Sequence, residues 1–468
     1  MIRGRPLVEV DGEFEGAELG DVRLNRRLAR IVRTVSANPA ASFPKAMVTE
    51  DELEGLYRFL NNDRVSFEEL VMPHVRATAS RTEEHDTVLV VHDTSTFSFQ
   101  GEAREGLGPL QRSGVGFIGH FALALVEGEE RIPLGVLGAH AWVRDEETAT
   151  KKRRRGADYL DVRGLPTEQD RWRELVDDVE EWSPGENRFI HVMDSEADDY
   201  KLFAGLVAKN RRFVIRLCYD RVLADQDLHL KEYTAAARTV YTRTIKISRR
   251  RKTSGYYLRK RSGPRTERKT ELAFSATSVT IQRPSICGAG YPKQLELHVV
   301  RVREINPPKN VEPIDWILAT TEPIKTKKQI LRIVDIYRSR WTIEEFFKAI
   351  KTGCAFEKRQ LESWEALTNA LAIFIPIAWN LLRMRSLGRH QPEAPARMIL
   401  TDSQIHVLSL AAPLPKKPTI QDALSAIARL GGHLKRNGPP GWQLLGRGYT
   451  ELLAGEAWYR RAKNEQEK

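Results

Sequence analysis

The stretch from Tyr337 to Lys351, Y-R-S-R-W-T-I-E-E-F-F-K-A-I-K, constrains this chain most. It holds no Gly or Pro, and Ile336, Ile343, Phe347 and Ile350 recur at helical spacing, which predicts one continuous helix. At about 100° per residue, those four span an arc of roughly 60° and form the buried stripe. Tyr337, Arg340, Glu344 and Lys351 project at about 0°, 300°, 340° and 320°, a second narrow arc beside the first. A site acting on phosphate needs such a set: a carboxylate for a hard cation and cationic donors for the anion. A solvated face with Arg340 and Glu344 paired at i,i+4 fits the same spacing, so the helix alone decides nothing.

Two aspartates widen the argument. Thr87 to His92, T-V-L-V-V-H, is apolar on both faces, reads as a central buried strand and ends on Asp93. Arg188 to Met193, R-F-I-H-V-M, repeats the pattern and ends on Asp194. Both aspartates are thus expected at the carboxyl ends of buried strands, where open α/β sheets place functional groups. Each taken singly also suits a turn or a helix cap. With Glu344, three carboxylates can hold a pair of divalent cations about 4 Å apart. Mg²⁺ favours oxygen ligands, so no His or Cys is required. His92 and His191 each precede an aspartate, point to the opposite strand face and read as packing residues.

Ahead of these strands, Asp21 is the expected N-cap of a helix bearing Leu24, Leu28, Ile31, Val32 and Val35 on one side. Arg23, Arg26, Arg27 and Arg30 form a basic stripe on it, either a DNA-contacting element or an ordinary charged surface. A helix from Glu52 to Asn61 supplies Leu53, Leu56, Tyr57 and Leu60 to the same small core. Strands are expected at Phe117 to Val126 and Arg131 to Trp142, turning at Gly128-Glu129-Glu130 in a meander. A basic loop at Lys151 to Arg155 and a helix around Arg171 to Glu180 follow.

Arg212 to Cys218 predicts another strand, with Arg216 available to the site. From 219 to 316 the sequence alternates and is basic, which reads as an all-β insertion. Between Arg243 and Lys269 stand twelve Lys or Arg against Glu267 alone, a surplus equal to the +11 of the whole chain. That tip, with Tyr256 and Tyr257, suits a DNA backbone, and a solvated loop suits it equally. Pro-bearing linkers are expected at Leu387 to Arg397 and Ala411 to Pro418. Two apolar helical patterns between Ile420 and Lys463 suit partner contact, dimerisation or simple packing.

The 468 residues allow two or three domains, and a pI near 9.4 points to a polyanionic partner. Cys218, Cys287 and Cys354 match neither a disulfide framework nor zinc spacing. No signal peptide is read at the start, and Ala366 to Leu382 is interrupted by Thr368, Asn369, Pro376 and Asn380. It is therefore expected to be a buried helix, in a cytoplasmic protein without a membrane span.

Tyr337, Arg340, Glu344 and Lys351 reproduce the Y-x-x-R-x-x-x-E-x-x-x-x-x-x-K signature of bacterial insertion-sequence DDE transposases of the IS-four group. The chain resembles the branch that includes the transposon-five transposase. The likeness extends to A-E-L-G-D-V-R, Y-R-F-L-N-N, D-S-E-A-D at 194 to 198, E-I-N-P-P-K at 304 to 309 and A-I-A-R-L-G-G at 426 to 432. It implies an α/β fold with an RNase H-like catalytic core over 71–370, interrupted by the β insertion. Small α-helical domains flank it, an end-recognition domain over 1–70 and a dimerisation region over 371–468.

The resemblance makes Asp93, Asp194 and Glu344 the catalytic, metal-binding triad for two Mg²⁺, with Mn²⁺ as a substitute. It assigns Tyr337, Arg340 and Lys351 to the terminal phosphates and flipped base, with Trp316 as the aromatic of base flipping. It further implies nicking at double-stranded transposon-end inverted repeats, hairpin formation, and transfer of the 3′-OH into target DNA. The acting form would be a nucleoid-associated homodimer that cuts each end in trans. Ser195 stands where the family usually has Arg, and His92 where an acidic residue is common. A related metal-dependent nuclease and a domesticated or inhibitory DNA-binding protein are the other readings.

Overall fold

This computed structural model describes residues 10–47, 49–101, 104–110, 114–144, 168–247, 266–309, 311, 313–434 and 440–466. The basic loop at Lys151 to Arg155 and most of the basic tip, with Tyr256 and Tyr257, lie outside them. The chain divides into two compact units, Met1–Leu160 with Trp341–Lys468, and Asp161–Arg340.

In the first unit, helix α1 (Val22–Ala37) starts on Asp21, whose side chain accepts the Arg23 N–H at 2.8 Å. Leu28, Ile31, Val32 and Val35 are buried as the spacing requires. Helix α2 (Glu50–Leu60) buries Leu56, Phe59 and Leu60, and α3 (Phe67–Thr82) opens on a Ser66/Glu69 capping box. An antiparallel meander follows: β1 (Val88–Phe99), the two-residue β2 (Gly108–Pro109), β3 (Val115–Val126) and β4 (Pro133–Trp142), with β1 and β4 flanking β3. The first strand is longer than expected. It runs on through Asp93, which sits mid-strand opposite Phe121, because T-S-T-F-S-F continues the alternation beyond the apolar run.

The second unit holds α4 (Glu168–Glu180), β5 (Phe189–Met193), α5 (Tyr200–Ala208) and β6 (Arg212–Leu217). Strands β5 and β6 pair in parallel. Between residues 219 and 316 the described residues form a short helix α6 (Leu230–Ala236) and three long strands, β7 (Tyr241–Ile247), β8 (Arg268–Gln282) and β9 (Gln294–Ile305). With β10 (Asp315–Thr320) they extend the sheet in the order β5-β6-β10-β9-β8-β7, every pair after the first antiparallel. Helix α7 (Lys327–Arg338), capped by Thr326 and Gln329, packs on this sheet.

The predicted continuous helix is broken. After α7, the N–H groups of Ser339 and Arg340 bond back only three residues, to Ile336 and Tyr337, and the buried Ser339 hydroxyl takes the Ile336 carbonyl at 2.5 Å. That local competitor ends the i−4 ladder and marks the boundary between the units. A new helix, α8 (Trp341–Lys348), starts at once in the first unit, followed by a π turn over Ala349–Gly353 in which the Cys354 N–H reaches Ala349 O at 2.8 Å. The apolar stripe nonetheless holds: Ile336, Ile343, Phe347 and Ile350 are all buried.

The first unit closes with α9 (Trp364–His390), α10 (Asp402–Ala411), α11 (Ile420–Leu430) and α12 (Trp442–Gln466). Helix α9 contains the apolar run and is long enough to cross a membrane, but 94% of its most apolar window is buried in the protein. It absorbs Leu387 to His390, so the expected linker begins only at Gln391.

A buried ionic cluster pins the N-terminal turn Val10–Phe14 to α3 and β4. Glu13 bonds His74 Nδ1 at 2.5 Å and Arg81 at 2.8 Å, and His74 Nε2 accepts the Val136 N–H at 3.1 Å. Burial pushes the Glu13 carboxyl up, but the His74 and Arg81 bonds outweigh it and hold the group at about 2. A carboxyl with a depressed folded pKa stabilises fully above its ordinary value and loses that contribution as pH falls. Glu13→Ala is expected to cost about 3 kcal/mol at pH 7. The gap to wild type should narrow below about pH 4.5, as read by calorimetry; a pH-independent gap would remove the charge from this account.

Candidate active site

The second unit gathers five of the residues singled out in the sequence. Asp194 ends β5 and caps the next turn, accepting the Glu196 N–H at 2.8 Å. Arg216 lies on β6 opposite Leu318 of β10, two residues from Trp316. Tyr337, in the last turn of α7, and Arg340, two residues beyond that helix, are both buried. The rings of Trp316 and Tyr337 meet edge to face, with centroids 5.5 Å apart. Burial raises the Tyr337 phenol above its usual value; Arg216, which hydrogen-bonds it, and Arg340 oppose that rise, while Asp194 adds to it. The phenol thus stays protonated at neutral pH among one carboxylate and two guanidinium groups.

Asp93, Glu344 and Lys351 belong to the first unit. The Thr94 N–H donates to Asp93 Oδ1 at 2.9 Å, and α8, which carries Glu344, packs on β1. Phe346 and Phe347 of α8 meet Phe121 of β3 at 5.7 and 5.6 Å, which seats that helix on the meander. Lys351, in the π turn, donates to Thr96 O at 2.5 Å, pairs with Glu357 at 3.6 Å and stands 5.1 Å from the Phe97 ring centre. Burial lowers its ammonium pKa, while Glu357 and Glu344 hold it up. Glu357 also accepts the Ser98 N–H at 3.0 Å, so it ties the lysine to β1. No sequence signal marks it, since E-K-R-Q has no period and lies beyond the signature.

Among the described residues, no three His, Cys, Asp or Glu side chains stand together as a metal-holding group. Asp93, Asp194 and Glu344 are nonetheless a purely carboxylate set, whose hard oxygens suit Mg²⁺ or Mn²⁺. The second aspartate of D-S-E-A-D is structural: buried Asp198 pairs with Arg221 and accepts the Cys218 and Tyr219 N–H groups at 2.7 and 2.8 Å. Ser195 contributes its carbonyl to the Cys218 thiol at 3.6 Å. His92 is buried beside His120, and His191 does more than pack, bonding buried Glu180 at 2.8 Å.

Arg23, Arg26, Arg27 and Arg30 are exposed on α1 and line a cleft of about 510 Å³ against α2. Arg27 donates to Gly55 O at 3.1 Å and Arg30 to Glu52 at 2.6 Å, so two of the four brace the helix pair.

Residues 10–65 match the family described as Transposase DNA-binding, and residues 159–381 match that described as Transposase DDE domain. Between them they take in more than half of the chain. Among solved structures, the chain is similar to a piggyBac transposase in a synaptic complex with hairpin DNA, at 12% identity and a TM-score of 0.37, over 82% of this chain and 72% of that one.

The Lys351 arrangement makes a chemical prediction. Removing the Glu357 charge with Glu357→Gln should lower the Lys351 pKa further and raise its acylation rate several-fold at pH 8 relative to other lysines, read by mass spectrometry. An unchanged relative rate would remove Glu357 as its partner.

Proposed function

Because the chain belongs to the DDE transposases, enzymes that cleave and join DNA, we propose that it is a cut-and-paste member of the IS-four group. The substrate is double-stranded DNA: the inverted repeats at the element's ends, then a target. Each end is nicked, the freed 3′-OH closes a hairpin on the opposite strand, the hairpin is reopened, and the 3′-OH joins the target. A homodimer holds both ends and cuts each in trans, in the cytoplasm and on nucleoid DNA. The core is of the RNase H-like type.

What supports this reading most is the gathering of Asp194, Arg216, Trp316, Tyr337 and Arg340 in the second unit, with a phenol kept protonated between arginines. Arg340 and Lys351 supply positive charge to the phosphates at the cleaved end. Trp316 and Tyr337 offer aromatic faces for the base that leaves the stack, and Arg216 orients the Tyr337 hydroxyl. Asp93, Asp194 and Glu344 are the ligands for two Mg²⁺, which Mn²⁺ replaces. When bound, such cations activate the attacking oxygen and offset charge on the leaving one. Arg23 and Arg26 on α1 contribute phosphate contacts in end recognition.

The test uses labelled DNA carrying one terminal repeat, with and without Mg²⁺, resolved on a denaturing gel. Wild type is expected to yield a metal-dependent hairpin-sized product. Asp93→Ala, Asp194→Ala and Glu344→Ala should each lose about 10³-fold or more in rate while still retarding the DNA. A cleaved linear product without hairpin would favour the related nuclease; retarded but uncut DNA with every protein would favour a binding-only role.

A further inference from the structure

Glu345, the neighbour of Glu344, is tied to the far end of the chain. Its Oε2 accepts the Trp442 indole N–H at 2.8 Å and pairs with Arg385 of α9 at 2.9 Å, while Oε1 takes Lys348 at 2.8 Å. The Arg385 guanidinium lies 4.5 Å from the Trp442 ring centre, and that indole is buried. Trp442 begins α12, and the next turn of that helix touches the π turn that carries Lys351. A Cβ on Gly446 would stand 3.2 Å from Gly353 O, so the two backbones meet directly. Gly448 locks α12 onto α11, since a Cβ there would overlap Ile427 O. One helix therefore braces both α8 and the π turn behind it.

Consecutive helical residues diverge by about 100°, so fixing the azimuth of one fixes that of the next. We propose that Glu345 is a positioning residue: held by Trp442 and Arg385, it sets the rotation of α8 about its axis and thereby couples α12 to the Glu344 carboxylate. This rests on Glu344 being a metal ligand. The paired charges cost desolvation that an apolar contact would not, and a fixed orientation is what such a cluster supplies in return.

The test compares wild type, Trp442→Phe, Glu345→Gln and the double variant on end DNA. Trp442→Phe keeps the ring over Arg385 and loses only the donor. Three quantities are read: single-turnover cleavage rate, DNA affinity, and Mn²⁺ affinity by electron paramagnetic resonance. Each single variant is expected to lower the rate about tenfold and weaken Mn²⁺ binding several-fold at unchanged DNA affinity. The double variant should be no worse than the stronger single one. Unchanged rate and Mn²⁺ affinity overturn the proposal, and so does a loss confined to thermal stability or DNA binding. Glu344→Ala separates the two levels: if it cleaves normally, the ligand assignment fails and this proposal with it, whereas a dead Glu344→Ala beside a wild-type Trp442→Phe removes the positioning role alone.

Discussion

The first unit depends on a single requirement, that α9 be covered on every side. From Ala366 to Leu382 every residue of it is buried, which only contact with other elements can achieve. Such a helix must also satisfy its polar side chains internally, and their partners name its neighbours. Asn369 donates to Leu60 O and Val65 O at 3.0 and 2.9 Å, joining α9 to the end of α2. Trp379 donates to Pro133 O at 3.1 Å, joining it to the start of β4. The same indole lies against Arg81 and His74, which hold Glu13. The N-terminal helices, the meander and α8 are thus organised around one apolar cylinder with a few fixed polar contacts.

Much of this was legible because the signals are local. Asp21 capped α1, the apolar run ahead of Asp194 gave β5, and the interruptions at Thr368, Asn369 and Asn380 gave a core helix rather than a membrane span. What escaped were contests between local options. Ser339 has the composition of any helix residue, yet its hydroxyl competes for Ile336 O and ends the helix. The π turn adds a residue at Ala349–Gly353, so the phase of a regular helix does not carry through to Lys351. Helical phase therefore does not run unbroken from Tyr337 through Arg340 and Glu344 to Lys351, although all four side chains are buried or half-buried. Asp93 escaped for the opposite reason. A polar stretch after an apolar run looks like a strand end, but alternation alone sustained β1 to Phe99.

The two sets of candidate residues surround their cations differently. A buried cation must be compensated for the chain to fold. In the second unit, Arg216 and Arg340 stand around a neutral phenol with Asp194 near by. In the first, Lys351 leans on a carbonyl and Glu357.

The first unit is also discontinuous along the chain, and this bears on its birth at the ribosome. Strand β3 is buried from Gly116 to Leu125, and α9, which packs against β4, emerges only after more than three quarters of the polypeptide has been made. Until then, apolar strands lack part of their cover, while the second unit, being continuous, can already have closed. A nascent chain of this design completes the core of its first unit last, after the whole of the second unit has been made.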